Sequence, residues 1–244
     1  MAGFYRLFRS SAPWYRACSI SDPMSTTEKK DTVAELAEPA PDTEQLLLAR
    51  LKGSTTAEDY FRWLLFIVGF YRGINKIEAA AELLEKYIED CKDVEQSAHC
   101  YLALGQIATD EQRHQAALDY FISGLELSPT KRKVIYVLHN NVGYCLNSLG
   151  RFIEAETHCR RAIEVDWARA SGYRNLGISL LGQNKILGAA WTLAEAVKAD
   201  RGDNRARILL ERLVGLHPNL GIQCPWLVQI LCFYQDGQVE APLV

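Results

Sequence analysis

Residues 101–129 read YLALGQIATDEQRHQAALDYFISGLELSP. Within this stretch Gly105 is followed twelve residues later by Ala117, then after four by Phe121 and after three more by Gly124. The same spacing returns as Gly143, Ala155, Cys159, Ala162, and again as Gly177, Ala189, Leu193, Ala196. Small residues at matched points of two successive helical segments let the helices approach closely, and recurrence at a period in the thirties marks an array of helical pairs. Function in such an array is expected on a surface, because nothing in the repeats resembles a reaction centre.

Tyr101, Leu104, Gly105, Ala117, Phe121 and Pro129 fall in the order and spacing of the tetratricopeptide repeat, which this stretch resembles. A second copy reads Tyr173, Leu176, Gly177, Leu180, Ala189, Leu193, with Arg201 in place of the proline. A looser one has His139 and Val142 before Gly143, and Trp167 at the proline position. A degenerate first copy opens with Trp63 to Tyr71 and continues with Ala80, Leu84 and Tyr87; its Asn75-Lys76-Ile77 precedes Ala80 as Asn184-Lys185-Ile186 precedes Ala189. The resemblance implies an all-α fold: a right-handed α-solenoid of helix-turn-helix TPR-like repeats with a C-terminal capping helix.

The expected organisation is a flexible segment over 1–41, a short capping helix over 42–56, four repeats over 57–201, a C-terminal capping helix over 202–215 and an apolar tail over 216–244. Asp42 with Gln45, Thr55 with Glu58, and Asp203 are candidate helix caps. Gly105 and Gly143 lie 38 residues apart but Gly143 and Gly177 only 34. The surplus is assigned to Thr130-Lys131-Arg132-Lys133, which lengthens a turn or the start of the next helix and has two readings, a local departure in the superhelical path or a plain solvated basic turn. His217-Pro218 and Cys224-Pro225 interrupt the helical pattern, and the apolar run Trp226 to Tyr234 should dock on the array or on a partner. The first 23 residues, with Arg6, Arg9 and Arg16 and no acid before Asp22, have three readings: a segment upstream of a start at Met24, an organelle transit peptide, or an unexplained tail.

A net charge of −3, with one short basic run at 131–133, gives no broad basic face for nucleic acid. Seven cysteines at scattered positions do not form the paired framework of a small secreted domain. A reducing, cytoplasmic setting is the expectation, with Cys91, Cys100, Cys145 and Cys159 as small helical hydrophobes. The dipeptides His99-Cys100 and His158-Cys159 cannot close on one ion, since adjacent helical residues point about 100° apart. No metal or cofactor is expected. Trp63–Tyr71 and Trp226–Tyr234 are each about half the length of a membrane-spanning helix. There is no Gly-rich phosphate loop, Gly-x-Ser-x-Gly elbow or His-Glu-x-x-His segment, so no enzymatic activity is expected.

The resemblance implies that the first helix of each pair lines a concave groove. Carried over, the groove residues are Arg62, Leu65 and Arg72; His99, Leu102 and Gln106; Asn140, Asn141, Tyr144 and Asn147; and Arg174, Asn175 and Ile178. Asn141 and Asn175 stand two residues before their glycines, where related arrays often present an amide to a bound chain; alternatively they bond to neighbouring helices or water. The lysines of a carboxylate clamp are missing, Leu102 and Ser171 standing in their places, although Arg174 could still meet a carboxylate. The expected function is therefore a non-enzymatic adaptor that holds a peptide or helix of a protein partner. Homo-oligomerisation through the apolar tail and service as a small chaperone for a secreted client are the competing readings.

Overall fold

The computed structural model describes residues 43–200 and 202–235 and contains, among them, twelve helices and no strand. The readings made above for residues 1–42, for Arg201 and for residues 236–244 lie outside these. The chain divides into two compact units, up to Leu83 and from Leu84 onward, with the helix Ile77–Asp90 (α3) running across the division.

In the first unit α1 (Thr43–Lys52) buries Leu47 and Leu51 and packs on α2 (Ala57–Gly73). Glu44 fastens the pair: one carboxylate oxygen accepts from the Tyr71 hydroxyl at 2.9 Å and the other from Lys76 Nζ. The cap of α2 is Thr56, whose side chain accepts from the Asp59 amide, and not Thr55 as the spacing suggested. Thr56 has the extended backbone, φ −126° and ψ 154°, that an N-cap residue takes.

The second unit stacks helical hairpins. After α3 come α4 (Val94–Asp110) and α5 (His114–Glu126), α6 (Arg132–Ser148) and α7 (Phe152–Val165), and α8 (Ala170–Gly182) and α9 (Ile186–Ala199). The repeated glycines explain how closely each pair fits. A Cβ built on Gly105 would sit 2.3 Å from the Phe121 ring, one on Gly143 2.5 Å from Cys159 Sγ, and one on Gly177 2.7 Å from Leu193 Cγ. Only a hydrogen at these positions lets the second helix seat its side chain. Ala117, Ala155 and Ala189, at the matched points of the second helices, are fully buried.

Each hairpin turns in the same way. Gln112, Gly150 and Asn184 have φ of 60°, 77° and 60°, and Asn75 in the first unit has 61°. The next amide reaches back five residues at all four turns, Lys76 to Tyr71 O, Arg113 to Ala108 O, Arg151 to Leu146 O and Lys185 to Leu180 O, at 2.8–2.9 Å. This left-handed closure satisfies helix-end carbonyls and fixes where the second helix begins. The shared Asn-Lys-Ile phrase marks that turn.

Of the two ways the four surplus residues could enter the 38-residue interval, a longer turn or a longer start of the next helix, the structure shows the second. α2, α4 and α6 each have 17 residues, whereas α8 has 13. α4, α6 and α8 end at the same distance past Gly105, Gly143 and Gly177, so the difference is one helical turn at the amino end, which α8 lacks. Of the assigned four residues, Arg132 and Lys133 are helical and begin α6. Thr130 and Lys131 are held by Glu95 of α4, whose Oε1 accepts from both their amides and from the Thr130 hydroxyl at 2.8 Å.

Beyond α9, Asp203 caps α10 (Asn204–Leu216), accepting from the Arg205 amide at 3.0 Å. Pro218 and Pro225 do interrupt the pattern, but each opens a further helix, α11 (Pro218–Gln223) and α12 (Pro225–Gln235), as proline can at a first helical position. α12 packs on α9, with Leu227 and Leu231 joining the core that contains Leu193, Val197 and Leu210.

Candidate partner-binding face

Successive first helices touch one another, α4 with α6 and α6 with α8, while no comparable packing joins α5 to α7 or α7 to α9. Within the second unit the first helices are therefore on the inner side of the stack. This is the face on which the sequence reading placed its binding residues from His99 to Ile178.

The structure sorts those residues by what they already hold. Asn140, Asn141 and Asn175 are each 4% exposed. Asn175 Nδ2 donates to Asn140 Oδ1 at 3.0 Å and to the Asn140 carbonyl at 3.3 Å. Asn147 Nδ2 donates to the Asn175 carbonyl at 2.9 Å, and its Oδ1 accepts from Ser179 Oγ at 2.9 Å. These bonds stitch α6 to α8, each worth about 0.5–1.5 kcal/mol net. Asn175 thus takes the neighbour-bonding alternative. Asn141 differs: its Oδ1 receives a long 3.4 Å contact from Asn140 Nδ2, and its own Nδ2 has no protein partner among the described residues.

Arg174 is engaged by Asp203, the α10 cap, in an ion pair whose side chains are 13% and 9% exposed. The guanidinium offered above to a partner's carboxylate is used inside the unit. Leu102 and Gln106 are buried, whereas His99, Tyr144, Asn147 and Ile178 are half-buried and reach the surface. Tyr144 meets the His114 ring edge-on at 5.9 Å between centroids. Burial pushes the His99 imidazole below the usual histidine range, with the Lys131 charge adding to it. In the first unit, Arg62 is exposed and paired with Asp59, and Leu65 and Arg72 are half-buried.

His139 and His158 face each other across α6 and α7 with their Nδ1 atoms 3.1 Å apart. Burial, then the His158 and Arg161 charges, pushes His139 down to about 4. Such a contact needs one neutral ring to donate and the other to accept. Spacing did not single out this pair or Ser179, and it marked Asp203 only as a helix cap and not as the partner of Arg174, because each of these contacts joins two helices. Cys100, Cys145 and Cys159 are buried, and burial pushes the Cys100 and Cys159 thiols up to about 12. Cys91 lies between α3 and α4 rather than in a helix. Among the described residues no three His, Cys, Asp or Glu side chains gather as a metal site, and no helix is long and apolar enough to cross a membrane.

Residues 98–131 and 136–166 match the family model of the tetratricopeptide repeat. No curated protein matches the chain in sequence. Among solved structures, BtubC from P. vanneervenii is similar with a TM-score of 0.63 at 14% identity, over 82% of this chain and 94% of that one. MamA from Desulfovibrio magneticus RS-1, residues 41 to the end, gives 0.58 at 15% identity over 74% and 97%. YrrB, described as a TPR protein with an unusual peptide-binding site, gives 0.55 at 17% identity over 82% and 95%. At these identities the likeness is one of fold.

Proposed function

We propose that the chain is a tetratricopeptide-repeat protein acting as a non-enzymatic scaffold that holds a peptide or helix of a protein partner on the α4–α6–α8 face. The observation that carries this reading is the Asn141 amide. A buried primary amide ordinarily fills its hydrogen bonds, and its neighbours Asn140, Asn147 and Asn175 do so within the unit. Asn141 keeps a donor over, and that nitrogen is not among the fully buried unpartnered side-chain atoms, so it is open to an incoming group beside Tyr144. An amide donor suits the backbone carbonyl of an incoming chain, and the half-buried Tyr144 and Ile178 supply apolar contact without reading a charge pattern. YrrB, similar in fold, is a precedent for peptide binding by such an array.

Self-assembly through the carboxy-terminal run is the weaker reading, since α12 spends Leu227 and Leu231 on its own unit. The groove reading is tested by placing a photo-crosslinking amino acid at Tyr144 or Ile178, and at Ile153 on α7 as a control that is 74% exposed. Adducts to one partner from the first two positions, lost on Asn141→Ala with unchanged melting temperature, are the expected result. Adducts from Ile153 alone would refute it.

A further inference from the structure

A second surface, unrelated to the asparagine ladder, lies at the other end of α6. Arg132 and Lys133 at the start of α6 and Arg169 just before α8 converge, with Val165 and Asp166, on an open cleft of about 310 Å³. Asn141, on which the groove reading rests, is about 13 Å away along α6, at about 1.5 Å of rise per residue. The cleft therefore stands or falls independently of the groove.

Two guanidinium groups, Arg132 and Arg169, line the cleft with a single carboxylate, Asp166, and Lys133 stands at its edge. The two guanidinium groups are held in place and still have donors to give. Arg169 Nε donates to Asp166 Oδ2 at 2.8 Å while its guanidinium carbon lies 4.8 Å from the Tyr136 ring centroid. Arg132 donates through one terminal nitrogen to the Val165 carbonyl. Each thus spends one of the five N–H donors a guanidinium carries, and anchoring lowers the entropy lost when the others are used. The backbone adds the same sign. Neither α6 nor α8 has a side-chain cap or an acid in its first turn, so the positive ends of both helices meet a cluster of cations. Glu95 answers the Thr130 and Lys131 amides but does not line the cleft. Such repulsion is relieved by a bound anion. The volume lies at the lower end of the about 300–1,000 Å³ typical of ligand sites, room for a side chain and not only a bare ion.

We propose that the Arg132–Lys133–Arg169 cleft is a binding site for an oxyanion-bearing side chain of a protein partner, a phosphoryl group or a carboxylate. The test titrates isotopically labelled full-length chain with N-acetyl-phosphoserine amide and with N-acetyl-glutamate amide, following backbone amide resonances. Saturable shifts centred on Arg132, Lys133, Arg169 and Ala170, weakened about tenfold by Arg132→Gln or Lys133→Gln, support the site. Lys133 is exposed, so its substitution keeps the melting temperature and separates loss of binding from loss of fold. Tighter binding of the phosphoserine amide assigns a phosphorylated source, and tighter binding of the glutamate amide an acidic one. Shifts that fail to saturate with both probes, or that saturate equally in Lys133→Gln and Arg132→Gln, overturn the proposal.

Discussion

Replacing Gly143 by alanine adds one methyl group at the point where α6 and α7 are closest. That carbon would lie 2.5 Å from Cys159 Sγ, while the next nearest atoms, Ala155 O and Cys159 N, are at an ordinary 3.5 Å. The whole clash is with one sulfur, on a side chain that is fully buried and lies 3.8 Å from Ser179 Oγ. Overpacking of this kind costs about 1–3 kcal/mol, against about 0.5–1 kcal/mol returned by removing a glycine from a helix interior. The expected net loss is about 1–2 kcal/mol, or about 0.5–1 M in urea midpoint for a slope near 2 kcal/mol per molar. Urea unfolding followed by circular dichroism measures it, with Gly69→Ala as the control. Gly69 has no atom within 4 Å of a built Cβ, and its replacement should stabilise by about 0.5–1 kcal/mol. In a Cys159→Ala background the clash disappears, so Gly143→Ala there should be neutral or stabilising, giving a coupling of about 1–3 kcal/mol. A Gly143→Ala protein as stable as Gly69→Ala, or a cycle additive within about 0.5 kcal/mol, would refute the close-packing account.

Two further outcomes follow from the structure. His139 titrates near 4 in the folded chain because burial, then His158 and Arg161, disfavour its charge, so between the unfolded value of 6.5 and about 4 the unfolded chain takes up the proton first. Stability should be flat with respect to this group above pH 6.5 and fall as pH drops towards 4; urea midpoints at pH 7, 5.5 and 4.5 should drop less for His139→Asn, and parallel profiles would rule the pair out. At the hairpin turns, Gln112→Gly should stabilise by about 0.5–1 kcal/mol and Gly150→Ala destabilise by about 1 kcal/mol, since both backbones have positive φ; thermal melts that reverse this order would contradict it.

What the sequence made legible was whatever repeats locally. Gly105 with Phe121, Gly143 with Cys159 and Gly177 with Leu193 are clashing pairs at one fixed separation, and that contact is the architecture. The Asn-Lys-Ile phrase marked a turn geometry that its divergent partner, Gln112-Arg113, shares. The site was less readable. Asn141 and Asn175 occupy the same register position, and their different fates depend on whether a neighbouring helix supplies Asn140. Arg174 could be read as a ligand for a partner because its counter-ion, Asp203, stands 29 residues away on another helix. Pro218 and Pro225 were ambiguous in kind: a residue that cannot continue a helix can begin one, and both do.

The shared turn geometry has a consequence for how such a chain can vary. Because the bend into each second helix is locked, while the first helices differ in length only where they begin, extra or missing residues collect along one margin of the stack. The opposite margin stays flush from hairpin to hairpin. Additions or losses of a whole coil at the ragged margin leave every glycine contact in place, so new partner-facing relief can be cut there without disturbing the packing beneath it.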